Sequence, residues 1–210
     1  MRIGIFGGTF NPVHIGHLRG AISTYEAFAL DKVVFLPIGI PPHKKDDVAA
    51  AEYRYRMIEI AIEGLEGFEI SRLEIDSDRV NYTIDTVESL KDIYPDDDLF
   101  FMVGTDAFFY LELWKDYRRL VDLIPFILIC RPEYDTTPVE ERYADVVTFI
   151  EVKDGFTRKP QTGTVYIFKP PAFDISSSMV RHKIRKGEII RYLVPEGVEQ
   201  FIKEKGLYRL

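Results

Sequence analysis

Two histidines stand close together near the start of the chain, directly after a glycine turn. His14 and His17 are three residues apart, so in a helix both lie on one face of its first turn. Gly7 and Gly8 end an apolar segment before them, and Gly16 between them leaves the backbone bare. Free N–H groups at a helix start, together with two imidazole donors, suit phosphoryl oxygens. The spacing therefore predicts a polyphosphate site.

This turn differs from two familiar glycine-rich phosphate motifs. The dinucleotide fingerprint G-x-G-x-x-G needs glycines that are missing here, and a Walker A loop needs a Gly-Lys-Ser/Thr that does not follow. A metal site is the other interpretation of a histidine pair, but the sequence has no H-E-x-x-H and no evident third ligand. We therefore predict that the pair binds phosphate and that no residues of the chain form a metal site.

Composition and charge narrow the class of protein. The 210 residues are 46% hydrophobic and 29% charged, which is typical of one globular domain with a substantial core. No apolar run is long enough to span a membrane, and no leader segment is evident before the first predicted strand. A net charge of −7 argues against a broad nucleic-acid surface but is compatible with a nucleotide ligand. The single cysteine, Cys130, excludes a disulfide framework and fits a reducing cytoplasm.

Apolar segments alternate with helical patterns along the chain. This alternation predicts an α/β fold of the Rossmann-like type, a doubly wound parallel sheet with helices on both faces. The loops after the first, second and fourth strands are then expected to face one cleft, because ligands bind beyond the carboxyl ends of such strands. The predicted strands cover residues 2–6, 32–37, 67–71, 99–103, 126–130, 146–150 and 165–168. The predicted helices cover residues 18–29, 53–61 and 84–93, and two more at 177–186 and 195–205 form a small C-terminal helical portion.

Two distant segments resemble the signatures of one enzyme superfamily. Residues 7–17, GGTFNPVHIGH, are similar to the signature of the HxGH nucleotidyltransferases, which share a Rossmann-like fold with class I aminoacyl-tRNA synthetases. Residues 175–181, ISSSMVR, are similar to their second signature, ISSTxIR, which opens a helix and binds the ATP phosphates. Serine hydroxyls and free N–H groups at a helix start, with Arg181 one turn on, suit phosphate on physical grounds as well. An ordinary helix cap explains a serine run alone, but not both motifs in this order.

Four further segments resemble bacterial nicotinate-nucleotide adenylyltransferases along nearly the whole chain. They are PPHK at 41–44, NYTIDT at 81–86, GTD at 104–106 and the tryptophan Trp114. One departure is Asn11, where that family often has Asp. Asn keeps a short, turn-forming side chain but lacks the charge of Asp. Whether this position helps to hold Mg²⁺, as a carboxylate there could, is therefore left open.

The resemblance implies a reaction and a set of site residues. The adenylyl group of ATP is transferred to nicotinate mononucleotide, forming nicotinate adenine dinucleotide and pyrophosphate in NAD biosynthesis, with Mg²⁺ bound through the ATP phosphates. The implied catalytic residues are His14, His17, Lys44 and Arg181. The implied ATP-binding residues are Gly7, Gly8, Thr9, Phe10, Gly16, Arg131, Ile175, Ser176 and Ser177. The implied nicotinate-nucleotide-binding residues are Tyr82, Thr83, Asp85, Thr86, Gly104, Asp106 and Trp114.

Elementary chemistry gives some of these residues a role, and each also has an ordinary structural explanation. The predicted helix start at Thr83 offers free N–H groups to a small carboxylate, which nicotinate carries and nicotinamide lacks. Tyr82 and Trp114 are able to stack on a pyridine ring, or are simply core aromatics. Asp106 is able to accept from a ribose hydroxyl, or caps a helix. Arg131 is able to pack against adenine.

Residues 1–210 are expected to form a single nucleotidyltransferase domain, in which residues 175–210 are the C-terminal helical portion that carries the second phosphate motif. The expected partners are ATP and nicotinate mononucleotide, with no nucleic acid and no membrane, and homo-oligomerisation is left open. Three other functions are also left open. One is an adenylyltransferase for nicotinamide mononucleotide or another acceptor, and another is a nucleotide-binding regulator without turnover. The third is a tRNA-linked enzyme, because VHIGH contains HIGH, although the short acidic chain and the lack of KMSKS argue against it.

Overall fold

A parallel sheet forms the centre of the molecule. The structure is a computed structural model that describes residues 1–41, 47–131, 134–171 and 173–209. In these ranges the strands are β1 (Arg2–Gly8), β2 (Lys32–Pro37), β3 (Phe68–Ile70), β4 (Asp98–Gly104), β5 (Phe126–Ile129), β6 (Thr148–Val152) and β7 (Thr164–Phe168). They form one seven-stranded sheet in the order β3-β2-β1-β4-β5-β7-β6, and each neighbouring pair is parallel. The predicted α/β, Rossmann-like fold class is confirmed.

Helices cover both faces of this sheet. In chain order the described residues form α1 (Ile15–Ala27), α2 (Ala51–Ile62), α3 (Thr83–Ile93), α4 (Thr105–Phe108), α5 (Tyr117–Leu123), α6 (Thr137–Tyr143), α7 (Ser177–Arg185) and α8 (Glu196–Glu204), with a 3-10 turn at Leu111–Leu113. Buried residues of α1, α2, α7 and α8 share one core, and those of α3, α4, α5 and α6 share the other. The sheet therefore lies between two helical layers, as the alternating pattern predicted.

Each central strand contributes to both cores because successive side chains point to opposite faces. In β1, Ile3 and Ile5 pack into the core with α3 to α6, whereas Phe6 packs into the core with α1 and α2. The core that contains Phe6 also contains Val180 of α7 and Val198 of α8, both fully buried. The C-terminal helices are therefore packed against the helices that follow the first two strands.

Two predicted boundaries are wrong for local reasons. The sequence pattern carried the first helix to Ala29, but α1 ends at Ala27 because Ala29 takes a left-handed backbone with φ of 46°. The Leu30 N–H then donates to the Tyr25 carbonyl at 3.0 Å, which closes a Schellman-type end. The strand predicted at 146–150 is β6 at 148–152, because the first two of those N–H groups donate to the Tyr143 carbonyl and close α6 instead.

Some short helices were not predicted. The helices α4, α5 and α6 have four to seven residues each, too few for a 3.6-residue period to be recognised in sequence. By contrast, the last helix ends at Glu204, within one residue of the predicted end at 205, and Gly206 with φ of 61° follows its cap residue.

The order of the strands fixes where a ligand binds. From β1 the next strands, β2 and β3, are added on one side, whereas β4 and β5 are added on the other. In doubly wound sheets the crevice at such a switch point receives the ligand. Gly7 and Gly8 end β1, and Gly104 ends β4 on the other side of the crevice. Arg131 follows β5 one strand further along, and the ISSSMVR segment follows β7. The predicted phosphate motifs thus meet at one edge of the sheet.

Candidate active site

The turn after β1 is closely packed against aromatic rings. A Cβ atom on Gly7 would lie 2.6 Å from the Phe101 ring, so a larger residue does not fit there without movement. Phe10 takes a left-handed backbone with φ of 48°, a costly conformation for a residue other than glycine. Its ring is 2% exposed and packs edge-on against the rings of Phe6 and His17. Packing therefore holds the turn in a strained shape beside the histidines.

His14 and His17 cap the start of α1 reciprocally. His14 is the residue before the first helical position, and its Nδ1 accepts a hydrogen bond of 3.3 Å from the His17 N–H. In return, Nδ1 of His17 accepts a hydrogen bond of 3.3 Å from the His14 N–H. The two rings are stacked, with centroids 3.6 Å apart. Two imidazoles thus fill the roles that Ser or Thr and Glu or Gln have in an ordinary capping box.

The two imidazoles are neutral, and this fixes which nitrogen can serve a ligand. Burial, with the Arg131 cation as a smaller cause, lowers the pKa of His14 to about 3. Burial, followed by the charges of His14 and Arg131, lowers the pKa of His17 well below its ordinary value. Each Nδ1 accepts a backbone N–H, so the remaining ring proton is assigned to Nε2. The pair therefore offers two neutral Nε2–H donors.

The lowered pKa values predict that the protein loses stability in mild acid. Below pH 6.5 the unfolded chain takes up protons at these histidines, while folded His14 stays neutral to about pH 3. The free energy of unfolding should therefore fall as the pH drops from 6.5 to 5, by up to about 1.4 kcal/mol per pH unit for each histidine. Denaturant titrations at several pH values measure this slope. In His14→Gln the slope should be smaller, and an equal slope would contradict the assignment.

The serine and arginine motif at α7 contacts the turn after β1 directly. Ser176 caps α7 by accepting a hydrogen bond of 3.1 Å from the Met179 N–H. The Ser177 hydroxyl donates to the carbonyl of Pro12 at 2.9 Å, which joins the two motifs. The Ile175 carbonyl lies 3.5 Å from the position of a Cβ atom on Gly16, the residue between the two histidines in the sequence. The structure thus brings the two predicted signatures together, although 165 residues separate Pro12 from Ser177.

Arg181 is held between the two motifs. Its Nη1 donates to the carbonyl of Asn11 at 2.8 Å, and its Nε donates to Asp47 at 2.9 Å. Arg185, one turn further along α7, also binds the Asp47 carboxylate. Hydrogen bonds from Arg185 and then Arg181 hold the pKa of the Asp47 carboxyl below its ordinary value. A carboxylate of the chain therefore binds the Arg181 guanidinium, which the sequence assigned to phosphate.

Four of the residues predicted to bind the nicotinate nucleotide, Tyr82, Thr83, Asp85 and Thr86, lie at the start of α3. No side chain of the described residues caps its first turn, so the N–H groups there are not taken by a cap. Lys115 bridges to Asp85 at 3.0 Å and lies 4.9 Å from the centroid of the Tyr82 ring. Trp114 is half-buried, with its ring 6.3 Å from that of Phe101 in an edge-on arrangement. Aromatic, cationic and helix-start groups therefore meet in one place, with Thr83 as the first helical residue.

Thr86, which was predicted to bind the nicotinate nucleotide, is held by a hydrogen bond within the protein. It is 5% exposed, and its hydroxyl donates at 2.8 Å to Glu74, a buried carboxyl. Burial raises the pKa of Glu74 above its ordinary value, while the hydrogen bond from Thr86 lowers it. The hydroxyl of Thr86 therefore orders the start of α3 in this structure, and its contact with a ligand stays a prediction.

Arg131 and Asp106 were predicted to bind different substrates, but the structure pairs them. Arg131 Nη2 donates to Asp106 at 2.6 Å, and Arg131 Nη1 lies 3.8 Å from Asp174. Asp106 is exposed in the first turn of α4, directly after Gly104. The pair spans the gap between the ends of β4 and β5. Adenine stacking by Arg131 and ribose binding by Asp106 would both happen at this ion pair.

Known proteins with similar sequences indicate the family to which this chain belongs. Residues 5–183 match the cytidylyltransferase-like family. A probable nicotinate-nucleotide adenylyltransferase of Desulfatibacillum aliphaticivorans is 41% identical over 217 residues, covering 99% of this chain and 100% of the relative. One from Thermus thermophilus is 38% identical over 209 residues, covering 100% of both chains. This chain belongs to the nicotinate-nucleotide adenylyltransferase family.

Solved structures agree on the fold. Nicotinic acid mononucleotide adenylyltransferase of Plasmodium falciparum, complexed with NaAD, superposes with a TM-score of 0.74 at 20% sequence identity. The match covers 99% of this chain and 97% of that chain. The same enzyme complexed with APC gives a TM-score of 0.74 at 18% identity, covering 99% and 96%.

The side chain of Asn11 binds groups of the protein through both its nitrogen and its oxygen. Asn11 is 4% exposed, and its amide Nδ2 donates to the backbone carbonyl of Asp47 at 2.8 Å. Its Oδ1 accepts from the Ala49 N–H at 3.0 Å and from the Tyr208 hydroxyl at 2.8 Å. A carboxylate could not make the first of these bonds, because it has no proton to donate. In this member of the family the residue organises the protein, and its amide fits that role better than a charge would.

Sequence reasoning missed Arg54, which lies behind the same turn. Arg54 is 1% exposed and donates to the carbonyls of Thr9, Gly39 and Ala49 at 2.8 to 3.0 Å. It therefore ties together the turn after β1, the segment after β2 and the start of α2. A sequence signal was present, since an arginine on the apolar face of α2 with Met57 is unusual.

Lys44 and the rest of residues 42–46 lie outside the described residues, so its role as a catalytic cation stays a prediction. Within the described ranges, no cluster of three or more His, Cys, Asp and Glu side chains could hold a metal ion. In the same part of the chain, no helix is long and apolar enough to cross a membrane.

Proposed function

We propose that this member of the nicotinate-nucleotide adenylyltransferase family transfers the adenylyl group of ATP to nicotinate mononucleotide. The products are nicotinate adenine dinucleotide and pyrophosphate, in the biosynthesis of NAD. The observation that carries the proposal is the junction of both signature motifs at the switch point of the sheet, with two neutral histidine donors between them. Relatives of the same length carry the name of this activity, at 41% and 38% identity.

The reaction is an in-line displacement at the α-phosphorus of ATP. An oxygen of the 5′-phosphate of nicotinate mononucleotide forms the new P–O bond. The bond from the α-phosphorus to the bridging oxygen breaks, and pyrophosphate leaves with that electron pair. The nucleophile is already an anion, so no general base and no covalent enzyme intermediate are needed. Catalysis is then positioning together with stabilisation of charge.

The histidines supply preorganised donors for that charge. Nε2–H of His17 and of His14 would donate to oxygens of the α- and β-phosphates. Because the rings are stacked and tied to the backbone through Nδ1, their donors need little reorganisation when charge develops. Their neutrality also means that ATP binding does not depend on protonating an imidazole near neutral pH.

Charged and hydroxyl groups would contact the outer phosphates. Arg181, Ser177 and Lys44 are assigned to the β- and γ-phosphates. Arg181 is paired with Asp47 in this structure, so the triphosphate would have to share or replace that carboxylate. The Asp47 pairing supports an anion site there, because the guanidinium already binds a negative group in that position.

The start of α3 would select the acceptor by its acid group. N–H groups in the first helical turn favour a carboxylate, which nicotinate carries. Tyr82 and Trp114 would contact the pyridine ring, and Lys115 adds positive charge beside them.

A direct test is product formation from ATP and either mononucleotide. We expect nicotinate adenine dinucleotide and pyrophosphate from the acid, at a rate about tenfold above that with nicotinamide mononucleotide, the size of a helix N-terminus effect on a charge. Chromatography of the products measures both. Faster reaction with the amide would indicate a nicotinamide-nucleotide adenylyltransferase, and no pyrophosphate with either acceptor would indicate a regulator.

Enzymes of this family generally use a divalent metal ion, and we propose Mg²⁺ here. The lack of a ligand cluster among the described residues is compatible with an ion held mainly by phosphate oxygens and water. Mg²⁺ would neutralise phosphate charge, while His14, His17 and Arg181 would orient the triphosphate of ATP. Full activity in excess chelator would contradict this.

A further inference from the structure

We propose that Tyr208, near the end of the chain, is a positioning residue for the ATP-binding turn, acting through Asn11. The inference rests on the proposed function, since it assigns ATP to that turn. It adds a residue that neither of the two signature motifs contains. The C-terminal segment would then belong to the construction of the active site.

The chain end is directed towards the turn by the way α8 stops. Gly206 has φ of 61°, and its N–H donates to the Lys203 carbonyl at 3.2 Å. The Leu207 N–H donates to the Ile202 carbonyl at 3.0 Å, which completes a Schellman-type end. Leu207 and Tyr208 then pack on the core formed with α1 and α2. The segment is therefore anchored before its hydroxyl reaches the site.

The hydroxyl of Tyr208 contacts one atom of the turn. It donates to Asn11 Oδ1 at 2.8 Å, and the side chain of Asn11 is otherwise bound to backbone groups at residues 47 and 49. Burial raises the pKa of Tyr208 above its ordinary value, so the hydroxyl keeps its proton and remains a donor. The charges of Arg181, Arg54 and Asp47 also act on its pKa.

Asn11 passes this constraint to the predicted phosphate groups. It follows Phe10, whose backbone is left-handed, and its own carbonyl accepts from Arg181 at 2.8 Å. The next residue, Pro12, accepts from Ser177. A side chain that fixes Asn11 therefore fixes the turn and two residues assigned to phosphate at the same time.

The test compares two conservative substitutions. Tyr208→Phe removes only the hydroxyl. Tyr192→Phe is the matched control, because Tyr192 has the same φ of 65° but is 82% exposed. In Tyr208→Phe we expect kcat/KM for ATP to fall about three- to tenfold, the loss of one buried hydrogen bond. KM for nicotinate mononucleotide should not change, and Tyr192→Phe should match the wild type.

Two further measurements separate positioning from mere stability. A purely structural role would lower the unfolding temperature and leave KM for ATP unchanged in the folded fraction, which would overturn the proposal. In a cycle with Asn11→Ala, the double variant should lose no more than Asn11→Ala alone, because the two groups act through one contact. Additive losses would also overturn it.

Stabilisation of the protein by ATP tests the role of Tyr208 even if the proposed reaction is wrong. Should the wild type not adenylylate nicotinate mononucleotide, the rise in unfolding temperature caused by ATP still reports on the turn. That rise should be smaller in Tyr208→Phe than in Tyr192→Phe. Equal rises in an inactive wild type would reject both proposals, whereas a smaller rise would reject only the reaction.

Discussion

Replacing His17 by alanine should lower turnover about 10²–10³-fold, which is the usual cost of removing one preorganised donor to a reacting group. The variant loses the Nε2–H that the proposed reaction assigns to the α- and β-phosphates. ATP should still bind measurably, since His14, Arg181 and Ser177 keep their assigned contacts. Steady-state kinetics with a separate ATP-binding measurement test both parts. Turnover like that of the wild type would remove His17 from the chemistry.

The same substitution also removes a helix cap, so stability has to be measured beside activity. Nδ1 of His17 accepts from the His14 N–H, and the loss of a capping group costs about 1 kcal/mol. Such a loss leaves a stable protein folded and cannot explain a hundredfold fall in turnover. His182→Ala is the control, because His182 is an exposed histidine on α7 and lies outside the proposed machinery. Its turnover should match the wild type.

Replacing Arg54 by methionine should destabilise the protein by about 3–5 kcal/mol, because three carbonyls, one buried and two partly buried, lose their donor together. The acceptors belong to Thr9, Gly39 and Ala49, which lie in three separate segments. Methionine fills much of the space but donates no hydrogen bond. Denaturant unfolding measures the change. A loss below about 1 kcal/mol would show that the segments hold without the guanidinium.

Arg56 on the same helix is the matched control for this loss. It is exposed and pairs with Glu59, the one partner among the described residues, so Arg56→Met should change the free energy of unfolding by less than about 0.5 kcal/mol. Arg54→Lys keeps a cation but has one nitrogen for three acceptors that the guanidinium fork reaches together. Its stability should fall between the wild type and Arg54→Met.

The sequence by itself determined the sheet and the two phosphate motifs. Apolar runs such as 33–37 are continuous because the strands are buried on both faces, and such runs can be recognised without tertiary information. The helix period in 84–93 was equally visible because one apolar face repeats over three turns. Short elements such as α4 were missed because four residues do not complete a repeat.

The tertiary structure alone decided how the motif residues are used. Spacing placed His14 and His17 on one face, but only burial beside Arg131 makes them neutral, and only their backbone contacts assign the proton to Nε2. The sequence offered Thr86 to a ligand, whereas folding gives its hydroxyl to Glu74.

The same distinction applies to the residues outside the motifs. Asn11 was a departure without an explanation until the fold brought Tyr208 and the segment before α2 against it. Arg54 was an arginine on an apolar helix face until Thr9 and Gly39 were seen to accept from it. A local pattern reports the periodicity of one element and the chemistry of one motif. It carries no information on which distant carbonyl or amide a side chain will meet, since that depends on how separate elements pack together.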